Sequence, residues 1–335
     1  MPLKSFKLIS SVASRERSWP YFAFVFLRTF FGGLLLVYVA VFLSDPFDSG
    51  RSPISLTRGV FDHDARFSNA SNARDPAFDS AIFGNSHGQA LEPNRLSQLT
   101  GHHFLQLTVP GTGPLEQLTL LRWFLRHHKE PASAVFVVDD WWCESDLPIQ
   151  VRYSFPFWLY DGWFEYLPRL LSPYAMDRAA RRIGLTVGLY SRSDPANFDD
   201  YESGKTWAFH PGNTIGDQSA PVTSPTVKFA FPAVELLRKA LAGRPALPVV
   251  IIMPPIYRTA IPRPGSVWNE RVNACQVAFA NLAEERRHGI YLDFRLDDDI
   301  TRDPNNFMDS THYRSNVARF LEGRIAEGLR RAAIR

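Results

Sequence analysis

The run from Phe22 to Leu43, FAFVFLRTFFGGLLLVYVAVFL, constrains this chain more than any other feature, being apolar apart from Arg28 and Thr29. A helix needs about 20 apolar residues to cross the hydrocarbon of a bilayer. No side of this run carries the polar stripe of a soluble amphipathic helix. Arg28 lies toward the N-terminal end, where a long side chain reaches the interface. The preceding segment holds Lys4, Lys7, Arg15 and Arg17 against Glu16 alone. That bias predicts residues 1–21 in the cytoplasm, 22–43 as a transmembrane anchor, and everything after Asp45 outside. A cleaved signal peptide is the competing reading. The run is long for one, and no A-x-A site follows Leu43.

Beyond the anchor, residues 44–76 are rich in Ser, Asp, Arg, Asn and Pro and read as a linker. A domain is expected over 77–335. Short apolar runs suited to buried strands occur at Phe78–Phe83, Phe104–Val109, Ala134–Val138, Leu247–Met253 and Ile290–Phe294. Between and after them come helical patterns at Ala90–Leu99, Leu115–His128, Val227–Ala242, Val267–His288 and Tyr313–Ala333, with Gly289 expected to cap the fourth. Strands alternating with helices predict an α/β domain with a mainly parallel sheet covered on both faces. Residues 141–226 interrupt the rhythm with an aromatic insertion, expected to pack a small core of its own. The net charge is +3, with no basic block beyond pairs such as Arg286 and Arg287, so no nucleic-acid partner is expected. Cys143 and Cys275 are enough for one disulfide outside the cytoplasm, and their spacing leaves open whether they pair.

Ligands of open α/β sheets bind at the carboxyl ends of the strands. The turn after the first run is Gly84-Asn85-Ser86-His87-Gly88, and the turn after the second holds Gly111-Thr112-Gly113. Asp139 and Asp140 follow the third run, Tyr257 follows the fourth, and Asp309 and His312 precede the last helix. A serine hydroxyl needs a general base in hydrogen-bond reach. His312 suits that task, and Asp309 suits holding the imidazole tautomer. The N–H groups of Ser86, Gly111 and Gly113 are candidate donors to an oxyanion. His87, Asp139, Asp140, Trp141 and Tyr257 are candidate substrate contacts, with aromatic rings suited to stacking on sugars. The pairs His102-His103 and His127-His128 read as surface residues. The scheme calls for no metal and no cofactor.

This order of motifs resembles the SGNH (GDSL-like) hydrolases. AIFGNSHG is similar to their serine turn, VPGTG to their oxyanion glycine turn, and FMDSTHYRSNVA to their D-x-x-H segment. The single N-terminal anchor resembles the envelope branch, which includes alginate O-acetylation proteins and the D-alanylation protein DltD. The resemblance implies a flavodoxin-like three-layer sandwich, with Ser86 as nucleophile, His312 as base, Asp309 as its orienter and Gly111 as an oxyanion donor. It implies O-acyl transfer to, or removal from, a cell-envelope polysaccharide outside a bacterial inner membrane, with a membrane-bound acyl donor protein as partner if the reaction is transfer. A simple esterase is a related reading. One departure stands out: the family's Asn after the third strand is replaced here by Asp139 and Asp140. An ionised carboxylate cannot donate to an oxyanion. Either backbone groups suffice, or Asn85 contributes, or one Asp stays protonated. The alternative is a catalytically inactive SGNH-like envelope assembly or glycan-binding protein.

Overall fold

The computed structural model describes residues 19–147, 154–194, 196, 198, 200, 202, 206–210 and 228–334. The expected cytoplasmic segment 1–21 therefore lies mostly outside the described residues, as does much of the second half of the 141–226 insertion. Trp19–Ser44 is one helix (α1), long and apolar enough to cross a membrane and exposed along most of its length. The rest is built from α2 (Ala65–Asn72), β1 (Ser80–Gly84), α3 (Pro93–Thr100), β2 (Phe104–Thr108), α4 (Pro114–His127), β3 (Ser133–Val137), α5 (Pro173–Thr186), α6 (Pro232–Ala242), β4 (Val249–Met253), α7 (Val267–Glu284), β5 (Gly289–Asp293) and α8 (Ser315–Ile334), with short helical turns between them.

The five strands form one parallel sheet in the order β2-β1-β3-β4-β5. Alternate strand residues enter two apolar clusters. Phe83, Leu107, Phe136 and Ile251 join α4, α6 and α7 on one face, while Ile82, Val135, Val250 and Ile252 join α3 and α8 on the other. Burial on both faces explains why these strands read as continuous apolar runs rather than alternating ones. The order of connection reverses between β1 and β3, so the crevice at their carboxyl ends is where such a sheet binds ligands.

Three expectations need correction. Residues 44–76 are not a free linker. Phe47 is buried between Phe67, Trp158 and Tyr174. The Asp45 carboxylate accepts the Ser49 N–H at 2.9 Å and the Gly50 N–H at 2.7 Å. Asp48 pairs with Arg182 of α5 at 3.2 Å and accepts the Ser71 hydroxyl at 2.7 Å. Polar turn formers here satisfy one another inside the protein instead of facing water. The described part of the aromatic insertion builds no separate core: Trp142, Tyr160, Tyr166 and Leu170 belong to the same cluster as Phe83 and Phe136. The long helix ends at Glu284, short of His288, and Gly289 opens β5 instead of capping it. A Cβ at Gly289 would come within 2.3 Å of the Ala283 carbonyl oxygen, so only glycine fits the tight return. His127 is exposed, as expected, and His128 is half-buried. Their rings reach the carbonyls of Trp123 at 2.8 Å and Ala73 at 3.0 Å.

Cys143 and Cys275 are joined by a disulfide, with Cα atoms 5.5 Å apart. The bond ties the turn after β3 to α7.

Candidate active site

Leaving β1, the chain passes so close to β3 that a Cβ at Gly84 would lie 3.0 Å from both the Cβ and the carbonyl oxygen of Val137. It then makes one tight turn, Ser86–Gly88, which Asn85 caps by accepting the His87 N–H at 3.1 Å. Far along the sequence, Asp309 to His312 form a turn before α8. A backbone bridge between Phe307 and Tyr313 closes that turn, and the Met308 N–H donates to the His312 carbonyl at 2.8 Å. The loop after β4 braces it, with the Tyr257 N–H donating to the Ser310 carbonyl at 2.9 Å.

These two turns meet. His312 Nε2 lies 2.9 Å from Ser86 Oγ, across 226 positions of sequence. His312 Nδ1 lies 2.8 Å from Asp309 Oδ2. Asp309 Oδ1 also accepts the N–H groups of Thr311 at 2.8 Å and His312 at 2.9 Å. Partial burial raises the affinity of Asp309 for a proton, but the hydrogen bonds from His312 and the Thr311 N–H outweigh it and hold the carboxyl well below the usual range. An ionised carboxylate only accepts, so Nδ1 carries the hydrogen and the Nε2 lone pair faces the serine hydroxyl. That is the arrangement a general base requires.

Ser86 and His312 open onto a cleft of about 410 Å³ that is also lined by Asn85, His87, Gly111, Asp139, Asp140 and Trp141. Among the described residues the N–H groups of Ser86 and Gly111 have no acceptor, which leaves both available to a ligand oxygen. Gly113 does not share this position. Its N–H donates to the Glu116 carboxylate at 3.0 Å, capping α4, and it lies outside the cleft lining. The Asn85 amide is likewise committed, donating to Asp139 and to the Thr112 carbonyl at 3.4 Å. Tyr257 stands outside the cleft with its ring against Phe209 and Phe307. Its part is to support the Asp309–His312 turn.

Asp139 is buried. Burial raises its proton affinity, yet the hydrogen bonds from His87 and the Asn85 amide and the charge of nearby Arg295 bring it below the ordinary value. It is therefore ionised and is not itself a protonated donor. Its Oδ2 sits 3.2 Å from His87 Nδ1. Asp140 pairs with Arg295, a buried residue just past β5 that the sequence reading missed. Its place after the carboxyl end of the fifth strand is the same signal that marked the other site residues, and would have found it. Trp268 and Ile256 also line the cleft, and no strand-end signal marked Trp268. Among the described residues no group of three or more His, Cys, Asp and Glu side chains is placed to hold a metal ion. Compared with known proteins, the chain matches no family model and no curated sequence.

Proposed function

We propose that this protein is a membrane-anchored serine O-acyltransferase or O-acyl esterase, acting through an acyl-Ser86 intermediate on a glycan outside the cytoplasm. The observation that carries the reading is the hydrogen-bonded line from Ser86 Oγ through His312 to Asp309, at 2.9 and 2.8 Å. In the first half-reaction Ser86 Oγ attacks the acyl carbonyl while His312 takes its proton, and the Ser86 and Gly111 N–H groups receive the oxyanion. His312, held by Asp309, then gives the proton to the leaving group. In the second half, a hydroxyl or water attacks the acyl-serine and the same imidazole takes and returns a proton.

The motif order supports a resemblance to the SGNH hydrolases, with the site at the reversal between β1 and β3. The envelope setting is supported by α1, which is suited to span a bilayer, and by the Cys143–Cys275 bond, since disulfides persist in oxidising compartments. On this reading α1 crosses a bacterial inner membrane with its C-terminal end outside, and any transfer draws its acyl group from a membrane-bound donor.

The test is labelling of the detergent-solubilised full chain with a fluorophosphonate probe. Native protein takes up one equivalent on Ser86, and Ser86→Ala takes up none. An unlabelled native protein with its fold intact overturns the enzyme reading and leaves the noncatalytic glycan-binding alternative.

A further inference from the structure

The cleft contains two aspartate–histidine pairs, and the chemistry above uses only one. His87 and His312 lie side by side, ring centroids 4.8 Å apart and tilted by 37°. His312 is oriented by Asp309 and faces Ser86. His87 is oriented by Asp139 in the same manner, through Nδ1 at 3.2 Å. Asp139 also accepts the Trp141 N–H at 3.1 Å and the Asn85 amide. A carboxylate so surrounded only accepts, so in its neutral form the His87 ring carries its hydrogen on Nδ1 and presents a bare Nε2. Among the described residues that Nε2 has no hydrogen-bond partner, and the ring lines the cleft.

Supporting the serine turn does not account for this pair. The Asn85 side chain already caps that turn through the His87 backbone N–H, with no use of the imidazole. Burying a carboxylate beneath the cleft floor is costly unless its partners serve some end, and an apolar pair would fill the space at less cost. What the second pair adds is an acceptor atom in the cleft, next to the base.

We infer that His87 Nε2 accepts a hydrogen bond from a second hydroxyl of the acyl acceptor, beside the hydroxyl that attacks, so the cleft is built for a vicinal diol such as a sugar presents. This rests on the acyl-Ser86 reading. A simple alcohol has one O–H, and that proton is needed by His312. An acceptor with neighbouring hydroxyls satisfies both imidazoles together. In the transfer step the attacking oxygen forms a bond to the acyl carbon and its proton passes to His312 Nε2. The tetrahedral intermediate then breaks the bond to Ser86 Oγ, and His312 returns that proton to Oγ. His87 gains and loses no proton. It fixes the acceptor, and Asp139 is the positioning residue behind it.

The experiment uses the full chain in detergent, p-nitrophenyl acetate as donor, and cis-1,2-cyclohexanediol or cyclohexanol as acceptor. Ester formed on each alcohol is measured per acyl-enzyme formed, so a change in overall rate does not enter the ratio. Native protein is expected to favour the diol by about tenfold beyond its extra hydroxyl, the size of one hydrogen bond. In His87→Phe the acceptor atom is gone. This variant should fall to the ratio set by counting hydroxyls, and that fall supports the assignment. A native ratio no larger than that count, hydrolysis with no ester on either alcohol, or a diol preference kept in His87→Phe overturns it. Failure of Ser86 to form any acyl-enzyme is a different result, read by the fluorophosphonate label, and removes the underlying reading as well.

Discussion

Replacing Asp309 with asparagine isolates what the carboxylate contributes to His312. The two oxygens of Asp309 have different tasks. Oδ1 accepts the Thr311 and His312 backbone N–H groups at 2.8 and 2.9 Å, and Oδ2 is the closer to His312 Nδ1, at 2.8 Å. The asparagine of the Asp309→Asn variant keeps a carbonyl oxygen in the first position, so the turn and its bridge between Phe307 and Tyr313 persist. It puts an NH2 group where Oδ2 was. That group donates to Nδ1, which drives the ring hydrogen onto Nε2 and aims an N–H, not a lone pair, at Ser86 Oγ. A base in the wrong tautomer costs about 10⁴-fold in rate, or ~5 kcal/mol of barrier at ~1.4 kcal/mol per decade. The assay is the second-order rate of fluorophosphonate labelling at Ser86, measured alongside p-nitrophenyl acetate turnover, with unfolding followed separately to verify that the fold survives. A folded Asp309→Asn protein labelling within about tenfold of native would refute the argument, since proton abstraction would then not depend on the orientation that the carboxylate imposes.

Three further outcomes follow from the packing. Cys143 and Cys275 close a loop of 132 positions, so reduction or Cys275→Ala should lower stability by about 2–5 kcal/mol in denaturant titrations, and a change below ~0.5 kcal/mol would deny the bond a structural role. Gly84→Ala forces a methyl group to within 3.0 Å of Val137 and should lose about 1–3 kcal/mol and slow Ser86 labelling, whereas native stability and rate together would show that β1 and β3 can part without strain. Burial pushes the Glu322 carboxyl up to about 7, against the Glu92 N–H and the charges of Arg319 and Arg95. Between its ordinary value near 4.5 and about 7 the folded chain holds a proton that the unfolded chain has released, so stability falls as pH rises through that window. Glu322→Gln should remove this slope from a plot of melting temperature against pH, and an unchanged slope would place its origin elsewhere.

Composition and local pattern alone determined several features of this protein. An apolar run of membrane length specifies α1, and five short apolar runs separated by helical patterns define a parallel sheet buried on both faces. Both are statements about periodicity, which the chain carries locally. The residue types suited to acyl transfer were legible for a related reason: they follow strand ends, where a parallel sheet opens to ligands. Only the tertiary structure decided which polar groups find partners. It joined Asp48 to Arg182 and so turned a stretch of turn formers into packed structure. It gave the Asn85 amide to Asp139, withdrawing it from any oxyanion. It set Cys143 beside Cys275, moved Tyr257 behind the site, and laid His87 against His312. A hydrogen bond forms or fails over a few tenths of an ångström between atoms far apart in the chain, and no local pattern records that distance.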